Sequence, residues 1–148
     1  MADKNKELIA LSENPAARFW KVDFSKLTNA EQVFVCIWEL EAQVNNGGFA
    51  QYFLNSSGDN AHKIIAALQS IGANLTAKTV KQAIDVFGPS GPPASHVERQ
   101  EVIEKLSEEQ KEVWNKLDTE FFGYPNNLTE LLHDFVMKNR NQIQGLGK

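Results

Sequence analysis

Apolar residues recur at intervals of three and four along nearly the whole chain, and no segment alternates convincingly at period two. That pattern argues against a sheet and predicts an all-α fold. Residues 4–13 carry a short helical pattern that stops at Pro15. Thr28-Asn29-Ala30-Glu31 is a capping box, in which a hydroxyl and a carboxylate satisfy the free amides of a helix start, and an apolar run follows it to Val44. Asn45-Asn46-Gly47-Gly48 should stop that helix. Phe49, Tyr52 and Phe53 mark a short aromatic helix that ends near residues 55–58.

Two similar helices come next. The stripe Ala61, Ile64, Ile65, Leu68, Ile71 ends at Gly72, and Val80, Ala83, Ile84, Phe87 ends at Gly88, so both glycines fall where a left-handed C′ residue belongs. Two copies of one frame suggest an αα-hairpin, since a solenoid needs at least three repeats. Ser95-His96-Val97-Glu98 and Ser107-Glu108-Glu109-Gln110 are further capping boxes, and Asn127-Leu128-Thr129-Glu130 imitates one; Gly123 and Pro125 separate the last two helices. The expectation is one compact domain over residues 1–148, built of about seven short helices. The Pro/Gly-rich stretch at 88–95 is either an ordered loop or a linker between two lobes. A chain of 148 residues buries roughly 70% of its unfolded surface, enough to fold without a disulfide or a metal.

Charge and cysteine usage bear on location and partners. With 15 Lys+Arg against 19 Asp+Glu the net charge is −4, and no basic stripe exists. Direct binding to nucleic acid, which needs clustered cations, is not expected. The single Cys36 cannot form an intramolecular disulfide and suits a reducing compartment. No 18-residue apolar run and no signal-peptide h-region are present, so a cytoplasmic protein that does not meet a membrane is expected.

Candidate chemistry is sparse. His62, His96 and His133 are read as solvated, and Glu130-x-x-His133 is only half of a di-iron element, so no metal and no cofactor is expected. Cys36 lies in the apolar run Val33–Trp38, where burial raises a thiol pKa and opposes nucleophilic use. Phosphate-binding and nucleophile-elbow motifs are missing, and an enzyme is not expected. Glu41 is the most informative residue: Val33, Cys36, Ile37, Leu40 and Val44 form one stripe, Phe34 and Trp38 widen it, and Glu41 projects between them. Glu39 instead shares the polar side with Gln32 and Gln43. A carboxylate among apolar neighbours must be paired or hydrogen-bonded. The favoured reading buries Glu41 and lets it accept hydrogen bonds from the amides of the turn at 45–49. The alternative is a small-ligand or catalytic site lined by Glu41, Asn46, Gln51, Tyr52 and Asn55.

Acidity concentrates between Glu98 and Glu120, which holds eight acids and four bases, Arg99 among them. Val102, Ile103 and Leu106 should face the core on one helix, and Val113, Trp114 and Leu117 on the next. Glu98, Glu101, Glu104, Glu108, Glu109 and Glu112 are then left outside. Glu101 with Lys105 and Glu112 with Lys116 would pair at i, i+4. The region is either an ordinary solvated face or an anionic surface for a basic partner.

The segment Glu41, Asn45, Asn46, Gly47, Gly48, Phe49, Gln51, Tyr52, Phe53, Asn55 resembles the signature of a family of small bacterial helical domains. That family has no general function assigned, and one described member is a DNA-mimic protein. The likeness continues at Ala67-Leu68 and Ile71–Ala73, and returns at Leu117-Asp118 and Phe121-Phe122. It implies an all-α fold, no catalytic residues, and as an option a homodimer whose carboxylates stand in for DNA phosphates. The joint expectation is a non-enzymatic interaction module that meets a protein partner, itself of the nucleic-acid-binding kind, through Glu98–Glu120. The 41–55 segment serves as scaffold.

Overall fold

Seven α-helices, and no strand, form among residues 3–146, the part described by the computed structural model. They are α1 (Lys4–Glu13), α2 (Asn29–Leu54), α3 (Ala61–Ser70), α4 (Asn74–Asp85), α5 (His96–Glu104), α6 (Glu108–Phe122) and α7 (Leu128–Lys138). The starts follow local chemistry. Thr28 and Ser107 make reciprocal capping boxes with Glu31 and Gln110, while Ser95 and Asn127 accept from the amides of Glu98 and Glu130. Gly72 and Gly88 adopt the left-handed conformation expected of them, with φ of 83° and 95°.

α2 is the centre of the molecule. Val33, Phe34, Val35, Cys36 and Ile37 are consecutive and all buried, so this helix is apolar on every side and must be enclosed. α3, α5, α6 and α7 pack around it, α4 closes a hairpin with α3 and also touches α6, and α1 lies on α7. Phe53 stacks on Trp114 of α6 at 5.3 Å between ring centroids, and Phe49 meets Phe121 edge-on at 5.9 Å. The core therefore runs directly beneath the 41–55 segment.

The break expected at Asn45–Gly48 is present: Gly47 (φ −154°) and Gly48 (φ 74°) leave helical geometry, and the two helical stretches of α2 meet there in a kink. Two expectations need correction. His133 is not solvated. It is buried where α1 covers α7, with Nε2 2.8 Å from Glu7 Oε2. Val113 does not face the core and is 43% exposed. The buried stripe of α6 is Trp114, Leu117 and Phe121, and Val113 falls about 100° to one side of Trp114.

Candidate functional site

The kink is where the polar chemistry of the 41–55 segment converges. At Gly48 the backbone takes a conformation that L residues avoid, and an added Cβ would lie 2.3 Å from Asp118 Oδ2. The kink takes the Phe49 amide out of helical register, and Asp118 Oδ1 on α6 accepts it at 2.8 Å. Burial raises the Asp118 pKa above the usual carboxylate value, and that hydrogen bond counteracts the rise. The carboxylate that ties down the turn is thus Asp118, not Glu41.

Glu41 is only half-buried, and its Oε2 accepts from the Tyr124 hydroxyl at 2.7 Å. The same hydroxyl accepts from Asn45 Nδ2 at 2.7 Å. Tyr124, in the loop between α6 and α7, is the one non-glycine residue with positive φ (49°) among the described residues. Burial raises its phenol pKa. The remaining amides of the signature bond to one another: Asn46 to Gln51, and both Gln51 and Asn55 to Gln43 Oε1. Tyr52 is 1% exposed. The side-chain amides of Asn46, Gln51 and Asn55 are thus engaged within the segment, and Tyr52 is buried. The groove that includes Glu41 is lined by Asn5, Ile9, Trp38, Ala42 and Asn45, and reaches none of Asn46, Gln51, Tyr52 or Asn55.

Two fully buried charged side chains were not legible as such. Arg99 on α5 donates through Nε to the Phe53 carbonyl (2.8 Å) and through Nη1 to those of Pro93 and Ala94 (3.2 and 3.0 Å). Its Nη2 donates to the Asn55 carbonyl (3.1 Å) and to Asp59 (2.7 Å). The guanidinium ties the end of α2 to the carbonyls of Pro93 and Ala94 in the stretch at 88–95. Gly58 makes room for it, since a Cβ there would sit 2.8 Å from both Arg99 Nε and the Phe53 carbonyl oxygen. Glu31, also with no exposed surface, receives the Arg18 guanidinium (2.7 Å) and the amides of Thr28 and Gln144 (2.9 and 3.2 Å). Burial pushes its pKa up, but those hydrogen bonds win and hold it below the ordinary value. Cys36 sits in the core with its thiol pushed up to about 12 by burial. Glu39 is half-buried, and desolvation raises its pKa.

The outer faces of α5 and α6 look different. Glu98, Glu101, Glu104, Glu108, Glu109 and Glu112 are all exposed. The expected pairs of Glu101 with Lys105 and Glu112 with Lys116 do not form among the described residues. Among the described residues, Glu108 alone of the six has a cation within 4.0 Å, Lys111 at 3.8 Å. Arg99, counted among the bases of this stretch in the sequence, points inward and screens none of them. No group of three or more His, Cys, Asp or Glu side chains that could hold a metal occurs among the described residues. Within the same residues, no helix is long and apolar enough to cross a membrane.

Fold and site together define a small all-α domain with a hydrogen-bonded polar kink inside and exposed carboxylates outside. The chain belongs to the DMP19-like protein family, whose model matches residues 25–139. That span contains the whole signature segment and the six helices α2 to α7. No curated protein and no solved structure matches the chain.

Proposed function

We propose that this protein is a non-enzymatic interaction module whose α5–α6 face, carrying Glu98, Glu101, Glu104, Glu108, Glu109 and Glu112, engages a basic protein partner in the manner of a DNA mimic. The observation that carries the reading is six exposed glutamates on two successive helices, of which only Glu108 has a Lys, Arg or His nitrogen within 4.0 Å among the described residues. Unpaired surface carboxylates add little to stability, but they create a field that attracts positive surfaces. Membership of the DMP19-like family supports the same reading. The partner would be a nucleic-acid-binding protein, because a surface evolved to meet phosphates also meets carboxylates. A reducing cytoplasm suits the free Cys36.

The ligand-site alternative is weaker, since the amides that would line it are bonded to one another. Capture of partners by the immobilised protein from its host, followed by elution with duplex DNA, tests the proposal. A basic, nucleic-acid-binding partner that duplex DNA displaces is expected. A partner indifferent to competing DNA would contradict it.

A further inference from the structure

Glu41 lies at the polar end of a groove of about 260 Å³ between α1 and α2, whose lining is Asn5, Ile9, Trp38, Glu41, Ala42 and Asn45. Ile9, Trp38 and Ala42 make its apolar part: Ile9 is 38% exposed, Trp38 is half-buried, and Trp38 stacks on Phe34 at 5.3 Å. The carboxylate is held in place. The Tyr124 hydroxyl has one proton, and because Asn45 Nδ2 is itself a donor that proton goes to Glu41. Tyrosine orients the charge without neutralising it. No Lys, Arg or His nitrogen of the described residues lies within 4.0 Å of Glu41.

We propose that this groove receives one arginine side chain of a basic protein partner, with the guanidinium on Glu41 and the methylene stem along Trp38, Ile9 and Ala42. Arginine fits for three reasons. Its planar fork matches a fixed carboxylate, its cation is attracted to an indole, and its stem covers apolar surface while the charge stays at the rim. The inference rests on the basic-partner reading above and adds to it a short-range contact. The α5–α6 face attracts at a distance, while the groove fixes orientation.

The test uses the full chain and the peptide acetyl-Gly-Gly-Arg-Gly-Gly-amide, followed by NMR. The three tryptophan indole N–H signals are told apart with Trp38→Phe. The arginine peptide should shift the Trp38 indole and the Ala42 amide and leave Trp20 and Trp114 unmoved. A citrulline peptide, equal in shape but uncharged, should not. Glu41→Gln, which can still accept from Tyr124, should weaken binding by about tenfold or more, the size of a lost hydrogen bond between charged groups. The variant Glu104→Lys/Glu108→Lys/Glu109→Lys should change it by less than about twofold, because those charges act only through a screened field. Equal shifts from the citrulline peptide, an unchanged affinity in Glu41→Gln, or no shift at any peptide concentration would overturn the groove. Shifts confined to α5–α6 and lost in the lysine variant would also overturn it, while leaving the acidic-face reading intact. If the captured partner proves indifferent to α5–α6 but the arginine peptide still fills the groove, the partner reading fails and the groove stands.

Discussion

Around the kink at Gly47–Gly48 nearly every polar side chain finds its partner within the chain, whereas on the outer faces of α5 and α6 only one of six glutamates has a Lys, Arg or His nitrogen within 4.0 Å among the described residues. Both regions are polar, and composition alone would treat them alike. The difference is what the groups are bonded to. At the kink, donors and acceptors hold elements together, and removing one strands another away from water. On α5 and α6 the carboxylates are solvated, and removing them strands nothing. Stability and recognition should therefore be separable by mutation.

The sharpest break of that comparison comes from the inner side. Arg99→Met should cost about 3–5 kcal/mol, since it leaves the carbonyls of Phe53, Asn55 and Ala94 short of a donor and unpins the loop at 88–95. Urea denaturation would show it as a large fall in midpoint. A loss under about 1 kcal/mol would mean that the loop and the α2 terminus find other partners.

Glu31→Gln should cost about 2–3 kcal/mol at neutral pH, as hydrogen bonds to a charged group are replaced by weaker ones. The variant also has a pH signature. The folded-state pKa of Glu31 is depressed, so its contribution is fully present above the unfolded value near 4.5 and is lost as pH falls through the lower folded value. Glu39 and Asp118 act with the opposite sign. Burial raises them, so their charge opposes folding near neutrality, and acid relieves that penalty. Thermal melts of the wild type should drop below about pH 4.5, and those of Glu31→Gln should be flatter in that range. Parallel curves would remove Glu31 from the account.

A smaller effect separates the two carboxylates near the kink. Asp118→Ala strands the Phe49 amide and should cost about 1–3 kcal/mol. Glu41→Ala removes one hydrogen bond near the surface and should cost less than about 1 kcal/mol. The reverse order in a paired denaturation experiment would restore Glu41 as the anchor of the turn.

The helices themselves were legible in the sequence. Thr28, Ser95, Ser107 and Asn127 cap helices because a side-chain oxygen three residues before a free amide is a local matter. Long-range pairing was not legible. Asp118 sits four residues after Trp114 and three before Phe121, on the buried stripe of α6, and Arg99 sits four before Ile103 on α5. Those positions mark both as facing inward, but nothing local says that one meets the Phe49 amide and the other the end of α2. Glu41 misled for the same reason. The kink at Gly48 redirects the turn toward α6, and only the assembled fold reveals which carboxylate is waiting there.

The smallest effect on stability should accompany the largest effect on binding. Replacing Glu104, Glu108 and Glu109 with lysine should alter stability by less than about 0.5 kcal/mol per site, because none is buried. Association with the captured partner, measured for wild type and this triple variant at low and high salt, tests the acidic-face account most directly. The account predicts that the wild type associates faster at low salt, that the triple variant has lost most of that advantage, and that high salt brings the two rates together. Equal rates at low salt, with both proteins folded, would contradict it.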